Sequence, residues 1–378
     1  MKIVVDENII FAEAAYNEFG SIHLLNGRFI TNKVLKDADV LIVRSITKVD
    51  KSLLQNTKVK FVGTATTVTD HIDINYLRNN KNTFADAKGC NADSVAEYVF
   101  TALLKIATEE KIRLLGTSIG ILGVGNIGSK TERLAKALGM KVLKNDPPKE
   151  REGIGSGYVT LDEVLNADVL TMHVPLTKEG RDKTVHLLNE ENLKKITQKT
   201  RIINTSRGEI FDNMALLKET TTKIFKLILD VWENETDLNI ELLKKTKIGT
   251  AHIAGYSLEG KANGTKIIYD ALCKHLNQNP VWQPPLKDIK KSEISFPGGK
   301  IIEEKLYKLF SSIYNVDIDD NKLKEIYNKD DEKRKEHFDS LRKKYPLRRE
   351  FSNYTVRLQS KDLKYKSILD AFRFKVKK

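Results

Sequence analysis

The sequence predicts an α/β fold of two lobes, each built on a parallel sheet, followed by a small α+β domain. Three observations predict it. Apolar runs of strand length alternate with helical stretches, a G-x-G-x-x-G motif lies between a strand and a helix, and a proline-rich break precedes a charged last quarter. A length of 378 residues suits two or three domains, and 40% hydrophobic with 30% charged residues is a globular composition.

Lys2–Val5, Val40–Arg44 and Lys60–Ala65 read as strands, with a helix over Ile9–Phe19 between the first two. From Asp93, the apolar residues Val95, Val99 and Leu103 recur at helical spacing. Strand Ile119–Val124, helix Ile127–Leu138 and strand Lys141–Asn145 open a second α/β series. It continues through strands at Val169–His173, Arg201–Asn204, Ile224–Val231 and Ile248–Thr250, then a helix over Leu258–Asn277. Asn279–Pro285 disfavours helix and reads as a linker. The expected regions are 1–92 completed by 256–280, then 93–255, then 286–378.

Composition also excludes function classes. No apolar run approaches the roughly 18 residues of a membrane span, and the N-terminus carries acidic residues where a signal peptide has its apolar region. Cys90 and Cys273 make neither a disulfide framework nor a zinc motif, so a reducing cytoplasm and no metal site are expected. Of the net charge of +13, +8 lies between Lys291 and Lys378, where 23 basic and 15 acidic side chains intersperse without aromatic periodicity. That pattern reads as a solvated face, with no nucleic-acid or membrane partner.

Gly123-Val124-Gly125-Asn126-Ile127-Gly128 follows an apolar strand and opens a helix, the context in which the motif cradles a dinucleotide pyrophosphate. Asn126 and Ile127 lie at the helix N-terminus, where free N–H groups favour negative charge. Asp146 ends the next strand, 18 residues beyond Gly128, where a carboxylate accepts ribose hydroxyls and repels a 2′-phosphate. NAD is the expected cofactor, although Lys144 and Lys149 leave room for NADP.

An alcohol oxidation needs a base, and histidine titrates near working pH. His252 stands just after the last expected strand of the second series, and ligands of open α/β sheets bind beyond strand carboxyl ends. Arg207 follows another strand end, offering a guanidinium. Asp230, Glu233 and Glu235 follow a third and offer carboxylates.

The order G-x-G-x-x-G, Thr205-Ser206-Arg207-Gly208, Asp230-Val231-Trp232-x-x-Glu235, His252-Ile253-Ala254-Gly255 resembles the D-isomer-specific 2-hydroxyacid dehydrogenases. The resemblance implies two Rossmann-like lobes, a discontinuous substrate lobe and an NAD-binding lobe, with the active site in the cleft between them. It implies that Arg207 binds the substrate carboxylate, His252 is the acid/base and Glu235 hydrogen-bonds the histidine, with Glu233 a second candidate. Val174, Thr205, Ser206, Asp230 and Gly255 complete the cofactor set. Thr236 and Ala251 stand where the family has prolines, which stiffen loops.

Val4–Asn8, Val43–Val49, Phe61–Thr66, Thr69–Asp73, Gly89–Ala92 and His252–Lys261 resemble one branch of that family, as does the tail at Phe338–Tyr345 and Arg348–Phe351. This implies NAD-dependent oxidation of 4-phospho-D-erythronate to 2-oxo-3-hydroxy-4-phosphobutanoate, on the route to pyridoxal phosphate. It also implies that the C-terminal α+β domain is a dimerisation domain and that Ser45, Thr66 and Tyr256 bind substrate. Arg44, beside Ser45 at a strand end, adds a guanidinium suited to the phosphate. The alternatives are another 2-hydroxyacid dehydrogenase, such as one acting on phosphoglycerate, or an NAD-responsive regulatory protein of the same fold.

Overall fold

A computed structural model describes all residues, 1–378. The chain forms two compact units, 1–92 with 257–288 and 93–256 with 289–378.

The first unit is a five-stranded sheet of β1 (Lys2–Asp6), β2 (Ser21–Leu25), β3 (Val40–Val43), β4 (Phe61–Thr64) and β5 (Thr83–Asp86). Its order is β2-β1-β3-β4-β5 and every pairing is parallel. The central strands are buried on both faces, as continuous apolar runs in a parallel sheet require. The helix Leu258–His275 covers one face, where Ile268, Tyr269, Leu272 and Cys273 join Ile3, Val5 and Phe61 in one core. Edge strands β2 and β5 lack such runs and carry His23 and Asp86, so hydrophobic pattern does not announce them. The expected helix over Ile9–Phe19 shrinks to Ala12–Tyr16 plus a 3-10 turn, because Phe11 takes a left-handed φ of 59°. The linker has no helix or strand, and Trp282 pins it, its N–H donating to the Tyr269 hydroxyl at 3.1 Å.

The second unit holds β6 (Ser118–Leu122), β7 (Lys141–Asn145), β8 (Val169–Met172), β9 (Arg201–Asn204), β10 (Lys226–Leu229) and β11 (Ile248–Gly249). They form a parallel sheet in the order β11-β10-β9-β8-β6-β7. The carboxyl ends of β11, β10 and β9 therefore stand side by side on one edge. Residues 289–378 add a parallel sheet β12-β13-β14 (Glu293–Ser295, Thr355–Arg357, Lys375–Lys377) and the helices Ile302–Ile313, Val316–Lys324 and Asp331–Lys343.

This last segment shares its core with the helix Ala92–Glu110. Phe100 meets Phe372 edge-on at 5.5 Å, and Phe372 meets Phe310 at 4.8 Å. A buried charge network crosses the same seam. The Glu97 carboxylate accepts from Phe351 N–H at 3.0 Å and from Arg373 at 3.2 Å, while Ser94 donates to Glu350 at 2.7 Å. Burial, then the Glu350 charge, push the Glu97 carboxyl up to about 8 against the opposing pull of Arg348 and Arg373.

A folded-state value above the unfolded one means the proton stabilises the fold. That contribution is complete below the unfolded value and is lost as pH rises through about 8. Glu97→Gln, which mimics the protonated group, is expected to flatten this slope: little change in urea-unfolding stability near pH 4.5, and higher stability than wild type above pH 8. A parallel pH dependence in the two proteins would refute the assignment.

Candidate active site

The glycine motif joins β6 to the helix Asn126–Ala137. Gly123 has φ +83°, and a Cβ there would lie 2.9 Å from the His173 carbonyl and from a Val174 methyl. A Cβ on Gly128 would strike the Gly123 carbonyl oxygen at 2.0 Å, so only glycine lets helix and turn meet. At Gly125 a Cβ would meet nothing within 4 Å, which leaves open space against the backbone. No side chain caps the helix, so the N–H groups of its first turn, from Asn126 onward, have no capping side chain to bond. That is a cradle for an anion with room for a pyrophosphate.

Asp146 caps the turn after β7, one oxygen accepting from Val124 N–H at 2.8 Å and the other from Lys149 N–H at 3.2 Å. A carboxylate has further lone pairs for ribose hydroxyls. Lys149 donates to the Val124 carbonyl at 2.7 Å and Lys144 pairs with Glu132 at 3.1 Å, so both flanking cations are engaged. Thr205 ends β9 with a buried hydroxyl that has no hydrogen-bond partner, a free donor at the cofactor edge. Ser206, by contrast, donates its hydroxyl to Asn204 at 3.0 Å. These residues fit a dinucleotide. His173 is buried and neutral, its ring pushed down to about 3 by burial, with Nε2 3.1 Å from the Thr171 hydroxyl.

Three neighbouring loops follow β9, β10 and β11. Gly208 lies against the chain at Trp232–Glu233, where a Cβ would fall 1.9 Å from the Trp232 carbonyl carbon. The Trp232 indole donates to the Thr250 carbonyl at 2.9 Å. The buried Asp230 carboxylate accepts from the Thr250 hydroxyl at 2.6 Å, Ile253 N–H at 2.8 Å and Ala254 N–H at 2.9 Å. Its own carbonyl accepts from His252 N–H at 2.7 Å. Asp230, expected beside the nicotinamide, thus commits its carboxylate to the loop that carries His252. Gly255 continues this loop.

His252 has φ +55°, a left-handed conformation, and its Nδ1 lies 2.8 Å from both Glu235 oxygens. The carboxylate accepts, so Nδ1 carries the proton and neutral His252 presents a lone pair at Nε2. Burial raises the Glu235 carboxyl, but His252 and then Arg342 more than offset this and hold it below the usual range. Glu233 serves a different histidine, His186, at 2.8 Å. Of the two candidate carboxylates, the structure therefore pairs Glu235 with His252. Thr236 has φ +77°, which proline cannot adopt, so this loop differs from a proline-bearing one in conformation and not merely in stiffness. Arg207 donates one Nη to the Ser206 carbonyl at 2.6 Å, and Asn204 braces the turn by donating to the Arg207 carbonyl at 2.8 Å.

Of the remaining expected residues, Tyr256 stacks edge-on against Tyr345 at 5.6 Å in this unit. Arg44, Ser45 and Thr66 belong to the other. Arg44 forms no ion pair and Ser45 is exposed. Thr66 shares a 2.8 Å hydrogen bond with Thr64, which in turn meets His71 Nε2 at 3.0 Å. No cluster of ligating side chains could hold a metal.

A family model described as D-isomer specific 2-hydroxyacid dehydrogenase, NAD binding domain, matches residues 101–254, and a domain of unknown function matches residues 286–369. The erythronate-4-phosphate dehydrogenase of Proteus mirabilis is 43% identical over 364 residues, 94% of each chain. That of Tolumonas auensis is 42% identical over 362 residues, 94% of this chain and 95% of the other. The chain belongs to the erythronate-4-phosphate dehydrogenase family. It is an NAD-dependent oxidoreductase of the wider D-isomer-specific group.

Solved structures agree on the fold. A D-lactate dehydrogenase from Aquifex aeolicus, complexed with NAD and lactic acid, is similar at TM-score 0.61 and 26% identity, covering 73% of this chain and 96% of that one. An NAD+-bound 3-phosphoglycerate dehydrogenase of Entamoeba histolytica is similar at TM-score 0.62 and 26% identity, covering 76% and 99%.

Sequence reasoning missed Arg342, 3.7 Å from Glu235. The tail segment containing it stood out, but no periodicity or spacing links it to a loop 107 residues earlier.

The two glycines separate fold from binding. Gly128→Ala is expected to lose about 1–3 kcal/mol of stability by overpacking. Gly125→Ala should keep the wild-type Tm without cofactor and weaken NAD binding by roughly tenfold or more, because its Cβ enters the pyrophosphate space. Thermal unfolding and NAD titration by calorimetry check both.

Proposed function

We propose that this chain oxidises 4-phospho-D-erythronate to 2-oxo-3-hydroxy-4-phosphobutanoate. The observation that carries the chemistry is the His252–Glu235 pair, with Nδ1 held by the carboxylate and Nε2 unbonded. Near-full-length relatives bearing the erythronate-4-phosphate name support the substrate.

When bound, NAD supplies a nicotinamide that accepts a hydride. The glycine turn, Asn126, Ile127 and Asp146 would hold its pyrophosphate and ribose, with Val174, Thr205, Ser206, Asp230 and Gly255 along the same strand edge. His252 Nε2 takes the C2 hydroxyl proton, and Glu235 holds the ring in the competent tautomer and stabilises the imidazolium. Arg207 grips the substrate carboxylate, a role suited to a planar two-pronged donor. Ser45, Thr66 and Tyr256 bind the substrate's oxygens, and Arg44 meets its phosphate, supported by the absence of any carboxylate paired with that guanidinium.

The three-region organisation at 1–92 with 256–280, 93–255 and 286–378 is supported by separate family matches to residues 101–254 and 286–369. A homodimer through residues 286–378 is supported by Ile318 and Leu347, which stand 51% and 73% exposed there. Light scattering of the full chain should give about twice 42.9 kDa. Two thiols with no disulfide support a cytoplasmic site of action.

The decisive experiment follows NADH absorbance with 4-phospho-D-erythronate or 3-phospho-D-glycerate, repeated with NADP. Preference for the four-carbon substrate with NAD is expected; preference for phosphoglycerate would overturn the substrate. His252→Ala should lower kcat by roughly 10²–10⁴-fold, the usual scale of acid–base catalysis, with NAD affinity unchanged. Undiminished turnover would remove His252 from the mechanism.

A further inference from the structure

The tail motif Phe338–Tyr345, whose expected task is dimerisation, also touches the catalytic loops. Arg342 stands in the last turn of the helix Asp331–Lys343. One of its Nη atoms lies 3.7 Å from Glu235 Oε2, and its guanidinium hydrogen-bonds the Tyr256 side chain. Its Nε is buried without a partner.

That geometry is a poor way to stabilise a fold. Taking a guanidinium out of water costs several kcal/mol unless its donors are met, and 3.7 Å is a charge contact rather than a hydrogen bond. Arg348, six residues on, shows what an arginine braced for structure looks like here. It donates to the Ala254 carbonyl at 3.1 Å and the Ser94 carbonyl at 2.8 Å, and stacks on Tyr314 at 3.9 Å.

We propose that Arg342 is a positioning residue for the proton-transfer pair: its cation balances the Glu235 carboxylate and fixes Tyr256, so that the protein's C-terminal region sets the charge state of His252. The proposal rests on the reading of His252 as the base. With Glu235 alone, the imidazolium formed by proton uptake would be stabilised by a full opposing charge and would hold its proton. A second cation on the far side of the carboxylate reduces that stabilisation and keeps the ring able to cycle.

The charges that face this pair are few. Asp230 lies beneath the loop, and Tyr256 and Arg342 flank the dyad. Behind Ala251 and Ile253 a cavity of about 240 Å³ is lined by Asp319, Lys322, Glu325, Lys344 and Tyr345. Asp319 there accepts from the Tyr314 and Tyr345 hydroxyls at 3.0 and 2.8 Å.

The test uses the full chain with 13C-labelled histidine, the His252 resonance being identified by its loss in His252→Ala. Arg342→Gln is expected to move the His252 titration midpoint to higher pH and to shift the acidic limb of the kcat profile the same way. Its kcat should fall about tenfold, the scale of a small misplacement of a catalytic group. Arg342→Lys should restore the midpoint. Lys343→Gln, which removes an exposed charge from the same turn, should leave it alone, and Arg342→Met replaces the glutamine variant if that one folds poorly. An unmoved or lowered midpoint in Arg342→Gln, or an equal movement in Lys343→Gln, overturns the proposal, as does a fall in Tm and kcat with the midpoint unchanged. Because the midpoint is read without turnover, failure of the substrate reading leaves this test intact.

Discussion

The buried carboxylate of Asp230 is the constraint on which the catalytic loop depends. Its oxygens take up three donors from Thr250, Ile253 and Ala254, and its backbone carbonyl takes a fourth from His252. A histidine at φ +55° carries a backbone cost on the order of 1–3 kcal/mol, and such conformations persist only where their surroundings over-determine them. Four hydrogen bonds from one residue do that. They turn the histidine ring so that Nδ1 falls between the Glu235 oxygens and Nε2 is left for the reaction.

Parallel strand order does the rest of the assembly. Because β9, β10 and β11 are neighbours running the same way, their following loops emerge on a single edge. Glycine at 208 lets the first loop nest on the second, and the Trp232 indole fastens the second to the third. The cofactor turn belongs to β6, two strands over in the same sheet. A guanidinium, a carboxylate and an imidazole separated by tens of residues thus share one rigid frame, which is what orientation in catalysis requires.

Features governed by local rules were legible in the sequence. The strands of the cofactor sheet show as β-branched apolar runs, and the glycine motif shows by spacing. Arg207, Glu235 and His252 show by their place after strands and by family resemblance. Features governed by tertiary context were not. β2 and β5 are edge strands without an apolar run, and the first helix is cut short by one left-handed residue, Phe11. Choosing Glu235 over Glu233 required seeing that a second histidine, His186, occupies the other carboxylate. Arg342 and Tyr345 lie about ninety residues or more from the residues they touch, a separation that no short-range pattern encodes.

The charge network around Glu97 bears on why the C-terminal segment is built as it is. Burying Glu97, Glu350, Arg348 and Arg373 together is costly compared with packing apolar side chains of similar size, so stability alone does not account for it. What charges and hydrogen bonds add is register, since each donor fits one acceptor. Arg348 spans the seam from the Ser94 carbonyl to the Ala254 carbonyl, two residues beyond His252. A slip of the tail along the helix Ala92–Glu110 would break those bonds and withdraw Arg342 from Glu235 together. The network therefore fixes the tail where its arginines meet the catalytic loop, and the specificity of that seam is transmitted directly to the proton-transfer pair.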